Sequence, residues 1–207
     1  MTSQAALELI GVTKEKFIAA GLNLLEEIGL DRFRIEKVAE LCRVRSASIY
    51  KYFKSSDEFQ DALTAGALAL LVDVHRDASS NQMGRDALEA FAQLERAYAL
   101  AHPTLYAVAL RAPRGPSAEL RLLRQIYMGA ATKMLRGYDI PQAVAPEIAN
   151  CLSAALQGFV NAEITGRGGA GLEFDRNYDR LLDMLDAGAR AARRSQGRQP
   201  LELVAHR

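Results

Sequence analysis

Apolar residues return every three to four positions along most of the chain, and sustained period-two alternation is absent. The first such stretch follows Thr13. Phe17, Ile18, Leu22, Leu24, Leu25 and Ile28 mark one face of a helix that Thr13 caps and Gly29 stops. The connection LDRFR leads to a short second helix, IEKVAELC, with Ile35, Val38, Ala39, Leu41 and Cys42 available for burial. RVR reads as a turn, and SASIYKYF as a third short helix with Ile49 and Phe53 four apart on one face. A longer fourth helix, SSDEFQDALTAGALALLVDVH, is entered through serines and acidic residues that suit its N-terminal dipole.

After about residue 75 the composition shifts. RDASSNQMG is polar and contains glycine, so it reads as a loop. Beyond it the spacing predicts helices over about 84–101, 103–111, 117–137, 141–165 and 174–193. Pro103, Pro113, Pro116 and Pro141 fall at or between these segments, where proline is tolerated. The basic tail RRSQGRQPLELVAHR reads as loosely packed. The expected fold is therefore all-α. A three-helix bundle over residues 1–58 is joined by a linking helix to a larger helical domain over 59–195, and 196–207 form a flexible tail.

Hydrophobic residues at 49% and charged residues at 25% of 207 place the chain among ordinary globular proteins. No run approaches the ~18 apolar residues of a membrane span, and MTSQAALELIGVTKEK lacks the basic start and apolar core of a secretory signal. Cys42 and Cys151 make no disulfide framework, so a cytoplasmic setting without a membrane partner is the expectation. His75, His102 and His206 are scattered and no Cys/His pair has ligand spacing, so no metal site and no cofactor is expected. No nucleophile–base pair or acid dyad sits in an activating context, and no catalytic residue is assigned. GRGGAG, Gly166–Gly171, looks like a phosphate loop, but it follows a helix and lacks the Lys-Ser/Thr ending, so it reads as a connector.

The net charge of +1 hides a local asymmetry. Between Arg32 and Lys54, seven basic residues (Arg32, Arg34, Lys37, Arg43, Arg45, Lys51, Lys54) face two acidic ones (Glu36, Glu40), a net +5 that leaves −4 for the rest. Charge alone leaves open a binding site or a solvated face. The arrangement narrows the choice, because IEKVAELCRVRSASIYKYF has the spacing of a helix-turn-helix whose second helix enters the major groove. Such a helix needs short side chains at its N-terminal end, and Ser46, Ala47 and Ser48 supply them. It needs an anchored face, which Ile49 and Phe53 provide. It needs phosphate donors on its flanks, and Arg45, Tyr50, Lys51, Tyr52 and Lys54 fit. Arg34, at the start of the preceding helix, can reach a phosphate with help from that helix's dipole.

From Thr13 to Phe59 the strings TKEKFIAAGLNLLEEIG, IEKVAELCRVRSASIYKYF and KSSDEF resemble the tetracycline-repressor-like (TetR) transcriptional regulators, and SIYKYF after VRSA is the most diagnostic part. The resemblance implies that Tyr50, Tyr52 and Phe53 hold the end of the second helix against the DNA backbone. It places Ser46, Ala47 and Ser48 on the base side, and Arg45 and Tyr50 on phosphates with Lys51 and Tyr52 beside them. The chain departs from the family pattern at Arg43, where the turn usually has glycine. Arg45 and Arg34 stand where Ser/Thr caps are usual, and Ser56 where a lysine is usual, with Lys54 nearby. Further along, YALAHPTLYAVAL resembles the His-Pro start of one regulator subgroup. CLSAALQGFVNAEITG resembles its Trp-x-x-x-His-Gly helix, with Ser153 for Trp and Gln157 for His.

The larger domain offers candidate pocket residues. His102, beside Pro103 and near Tyr98 and Tyr106, either lines a ligand pocket or caps and packs a helix. Gln157 and Asn161, four apart on an apolar helix with Tyr127 alongside, fit a small-molecule site or an internal hydrogen-bond network equally. The last two helices carry apolar stripes, among them Ile148, Leu152, Phe159, Tyr178, Leu182 and Leu185. These read as core or as the four-helix dimer interface that the resemblance implies. The dimer is favoured because two half-sites ~34–36 Å apart need a symmetric pair of readers. The reading is a homodimeric regulator, most simply a repressor, with a double-stranded DNA operator and an unknown small-molecule effector as partners. A helical enzyme or small-molecule carrier with a structural N-terminal bundle, and an adaptor whose basic window binds an acidic protein, stand as alternatives.

Overall fold

The computed structural model describes residues 13–76, 82–167 and 173–193, and every regular element among them is helical. In chain order these are α1 (Lys14–Ile28), α2 (Ile35–Leu41), a 3₁₀ helix (Ser46–Lys51), α3 (Ser56–Arg76), α4 (Arg85–Ala101), α5 (Pro103–Ala109), α6 (Ala118–Lys133), α7 (Ala145–Ile164) and α8 (Phe174–Ala192). Most of the loop expected in RDASSNQMG, most of the GRGGAG connector and the 196–207 tail lie outside the described residues. The chain divides into two compact units. One holds Met1–Asp77 and Leu94–Tyr127, the other Ala78–Gln93 and Met128–Arg207, so both boundaries within the later chain fall inside α4 and at the middle of α6.

In the first unit, α1 begins where Thr13 Oγ1 accepts a hydrogen bond from Lys16 N at 3.4 Å. It ends at Gly29, whose φ of 74° lets its N–H return to Leu25 O at 3.0 Å. The apolar face of α1 supplies Phe17, Leu24 and Leu25 to a core that Val38, Ala39, Ile49, Phe53 and Phe59 complete. Gly21 permits α3 to approach closely, since a Cβ there would stand 2.6 Å from Leu63 Cδ2. α3 starts with its own capping pair. Ser55 Oγ accepts from Glu58 N at 3.1 Å, and Glu58 Oε2 accepts from Lys54 N at 2.6 Å. α3 then packs along α5 and α1.

The turn between α2 and the 3₁₀ helix turns on Arg43, a residue with a side chain at φ 55°. This left-handed conformation is the one that the usual turn glycine adopts without strain, whereas a Cβ there brings roughly 1–2 kcal/mol of steric cost. Arg43→Gly is therefore expected to raise the denaturant midpoint, by about 1 kcal/mol of stability once the greater freedom of unfolded glycine is subtracted. Chemical denaturation of the two proteins side by side checks it, and an unchanged or lower midpoint would show that the arginine's own contacts outweigh the strain.

In the second unit, α7 and α8 pack together, and Phe159 of α7 meets Phe174 and Tyr178 of α8 at centroid distances of 6.0 and 5.2 Å. Tyr178 is fully buried and its hydroxyl donates to Ala92 O at 2.7 Å. Arg85 donates to Asp183 at 2.9 Å, and Tyr138 donates to Asp186 at 2.7 Å, where Arg190 also binds at 2.9 Å. The Arg190 hydrogen bond comes first among the causes that hold the Asp186 carboxyl below the usual carboxylate range. Helix α7 starts at Ala145 and not near Pro141, because Pro146 can occupy the first turn of a helix but not its interior.

Candidate nucleic-acid interface

The segment expected to enter the major groove is a 3₁₀ helix of six residues, in which side chains three apart share an edge. That periodicity sorts its residues. Ser46 and Ile49 share one edge, and Ile49 is fully buried while Ser46 is half-buried. Ala47 and Tyr50 share another edge, and both are exposed, Tyr50 by 48%. Ser48 and Lys51 form the third, half-buried and exposed respectively. The outward edges are thus Ala47–Tyr50 and Ser48–Lys51, and Ser46 stands closer to the anchored side.

The helix is held from behind by aromatic contacts. Phe53 has no exposed surface and meets Phe59 edge-on at 4.9 Å, with Lys14 Nζ 5.2 Å above its ring. Tyr52 keeps 43% of its surface exposed while its ring lies 5.5 Å from Phe17, so one side is anchored and the other open. Arg45, at the helix N-cap, and Lys51 are exposed, and neither pairs with a carboxylate among the described residues. Lys54 is exposed just beyond. Arg34 is also exposed, but its guanidinium folds back onto Asp31 O at 3.0 Å and Phe33 O at 2.7 Å beside the start of α2. Unpaired cations and a tyrosine edge over a short, well-anchored helix form a surface suited to phosphate oxygens. Burial pushes the half-buried Cys42 thiol up from the ordinary thiol range.

Residues 17–63 match the profile described as bacterial regulatory proteins of the tetR family, and residues 88–185 match that of the tetracyclin repressor-like C-terminal domain. The chain belongs to the TetR family. No curated protein matches the sequence. Solved structures of similar fold include a TetR variant from Acinetobacter baumannii AYE in complex with minocycline, 22% identical. It covers 88% of this chain and 99% of that one with a TM-score of 0.67. The TetR family protein ActR of Streptomyces coelicolor, in complex with (S)-DNPA, is 20% identical over 87% and 98% of the two chains, TM-score 0.66. A BioQ bound to its natural double-stranded DNA operator is 15% identical over 87% and 99%, TM-score 0.64. Among the described residues no helix is long and apolar enough to cross a membrane.

The candidate effector residues of this TetR-family chain fall into three places. Tyr106 and Tyr127 converge in the first unit on Glu95, which has no exposed surface. Their hydroxyls donate to Glu95 Oε1 at 2.9 and 2.8 Å. The other oxygen, Oε2, lies 2.7 Å from His75 Nε2, and the His75 ring is 5.9 Å from that of Tyr127. His102 stands elsewhere. Its Nδ1 lies 2.9 Å from Glu26 Oε2, and Tyr98 packs against its ring at 5.1 Å. The Tyr98 hydroxyl is pushed up to about 12 by burial and by the Glu26 carboxylate. Gln157 is half-buried and Asn161 exposed on α7, in the second unit.

Glu95 and His75 were legible in the pattern but not singled out by it. Leu88, Phe91, Ala92, Glu95 and Ala99 form one stripe of α4, and Leu68, Leu71, Val72 and His75 one stripe of α3. A polar residue in register with such a stripe is carried into the core whatever its own preference. The stripes of α7 and α8 behave in the same way. Leu152, Tyr178 and Leu182, expected at a dimer interface, are 6%, 0% and 0% exposed in the single chain, so their side chains belong to its own core. Ile148, Phe159 and Leu185 are half-buried. The exposed positions on these helices mix charged residues, among them Glu147 on α7 and Asp175, Arg176, Asp179, Arg180 and Asp183 on α8, with small ones, Cys151, Ala154 and Gly158 on α7 and Ala187 and Gly188 on α8, and Met184 is 70% exposed.

Proposed function

We propose that this chain is a sequence-specific, DNA-binding transcriptional regulator of the cytoplasm, a repressor that binds its operator as a homodimer and is released by a small-molecule effector. The observation that carries the reading is the 3₁₀ helix with Ala47, Tyr50 and Lys51 outward, Arg45 at its N-cap and Ile49 and Phe53 locked inward. The family and the likeness to folds solved with minocycline, (S)-DNPA and an operator support it. The exposed small residues of α7 and α8 suit a second copy, because small side chains let helices of two protomers approach closely. Tyr106 and Tyr127, joined through Glu95 to His75 near the far end of α3, would couple a bound effector to the helix that continues from the reader.

Selection of bound fragments from genomic DNA, followed by titration over a range of salt, tests the proposal. Affinity for the selected fragment should fall steeply with salt, with a log–log slope near −0.9 per phosphate contacted, and the complex should contain an even number of chains. Lys51→Ala should weaken all sequences alike and lower the slope by about one. Substitution of Ala47 should change base preference more than substitution of the more anchored Ser46. Recovery of no fragment above background, or a salt-independent affinity, would remove the DNA-binding reading in favour of a carrier or adaptor.

A further inference from the structure

The first two turns of α3 present different partners on opposite faces. Phe59 and Leu63, four residues apart, face the reading bundle, with Phe59 against Phe53 and Leu63 against Gly21. Asp57 and Asp61 are offset from them by two positions, about 200° around the helix. On that opposite face the connection between α5 and α6 is fastened. Asp61 Oδ1 accepts from Arg114 N at 2.8 Å, and Asp61 Oδ2 accepts from Gly115 N at 2.9 Å. Asp57 Oδ1 accepts from Arg114 Nη1 at 3.2 Å.

These contacts differ in weight. Asp57 and Arg114 are both substantially exposed, so their ion pair is screened and contributes little. Asp61 is only 7% exposed and each of its oxygens is engaged by a main-chain donor, so it holds a fixed geometry that a mobile surface pair does not. Burying a carboxylate is unfavourable unless such donors compensate it, and here the donors come from a segment more than fifty residues away in sequence. Four residues, Tyr52–Ser55, separate the reading helix from the start of α3.

We propose that Asp61 is a positioning residue for operator binding. By fastening the Arg114–Gly115 backbone to one face of α3, it sets the orientation in which the opposite face presents the reading helix. The inference rests on the DNA-binding reading above. Without the fastening the bundle stays folded around Phe17, Ile49 and Phe53, but the first turns of α3 must be ordered on binding, which weakens association. The phosphates contacted are unchanged.

The test compares wild type, Asp61→Ala, Asp61→Asn and Gly115→Ala on the fragment that the wild-type protein selects. Asp61→Ala should bind about tenfold more weakly with an unaltered salt slope, which separates lost orientation from a lost phosphate contact. Asp61→Asn retains one acceptor oxygen and should fall between, which keeps the comparison available if the alanine variant folds poorly. Gly115→Ala keeps its N–H and its Cβ would meet Asp61 Oδ2 at an ordinary 3.7 Å, so it should bind as wild type. In the DNA-free proteins, amide exchange should accelerate in Asp61→Ala at Arg114, Gly115 and the reading helix. Wild-type affinity in Asp61→Ala and Asp61→Asn despite faster exchange at Arg114 and Gly115 would overturn the proposal. If wild type selects no DNA, the functional reading fails on its own. The positioning claim is then decided by exchange at the reading helix, and unchanged exchange there overturns it.

Discussion

Replacing Phe53 with alanine is expected to lower stability by about 3–5 kcal/mol and to abolish operator binding, whereas Phe53→Leu retains both within a smaller loss. The side chain is fully buried, stacks edge-on with Phe59 and lies beneath Lys14 Nζ, so truncation removes its transfer free energy and leaves a cavity that three elements cannot close together. It is also the point at which the reading helix is joined to the base of α3. Urea denaturation measures the first effect and titration of the selected fragment the second. A Phe53→Ala protein that unfolds within 1 kcal/mol of wild type would show that the bundle repacks around the gap.

The second large effect concerns Glu95. Glu95→Ala deprives His75, Tyr106 and Tyr127 of one shared acceptor in a site with no exposed surface, and each buried group left unsatisfied costs roughly 1–3 kcal/mol. Partial rearrangement and a water entering the space offset some of this, so a net loss of about 3–5 kcal/mol is expected. Glu95→Gln preserves an acceptor for the tyrosines and should lose markedly less. A double-mutant cycle gives the sharper test. Tyr106→Phe should cost about 1 kcal/mol in the wild-type background and almost nothing once Glu95 is alanine. Additive losses in denaturation would mean that the four groups do not act as a network.

Both effects bear on how function is arranged in the first unit. The reading helix and the buried Glu95 group occupy opposite ends of α3, near Phe53–Phe59 at one and His75 at the other. Asp61 lies between them, close to the reading end. With specified contacts at each end, α3 links the two sets mechanically only where an effector binds two states of the protein with different affinity. Such an effector would have to change one of these contact sets.

Local chemistry determined most of the helices. Thr13 and Gly29 bound α1 because a hydroxyl cap and a left-handed glycine act within a few residues, and the run from Ile35 to Phe53 already divides into an anchored side and an outward side. Prolines show the limit of that reading. Pro146 shifts the start of α7 to Ala145 because its ring is tolerated in the first helical turn alone. The reading helix was legible as a short helix, but its 3₁₀ winding, which turns Ser46 inward and Ala47 outward, depends on how Ile49 and Phe53 seat in the core.

What the sequence by itself determined is therefore what depends on near neighbours: helical content, caps, the basic window and the family likeness of its first third. What only the tertiary structure decided is which distant side chains share a partner. Glu95 takes hydrogen bonds from positions 11 and 32 residues away and meets His75 20 residues before it; Asp61 takes two from more than fifty residues on. Helical periodicity says that Leu152, Tyr178 and Leu182 face something apolar, but the same stripe serves a core or a second protomer equally well. Packing within the single chain covers Leu152, Tyr178 and Leu182, whereas Ile148, Phe159 and Leu185 of the same stripes keep part of their surface, a distinction that helical spacing alone does not make.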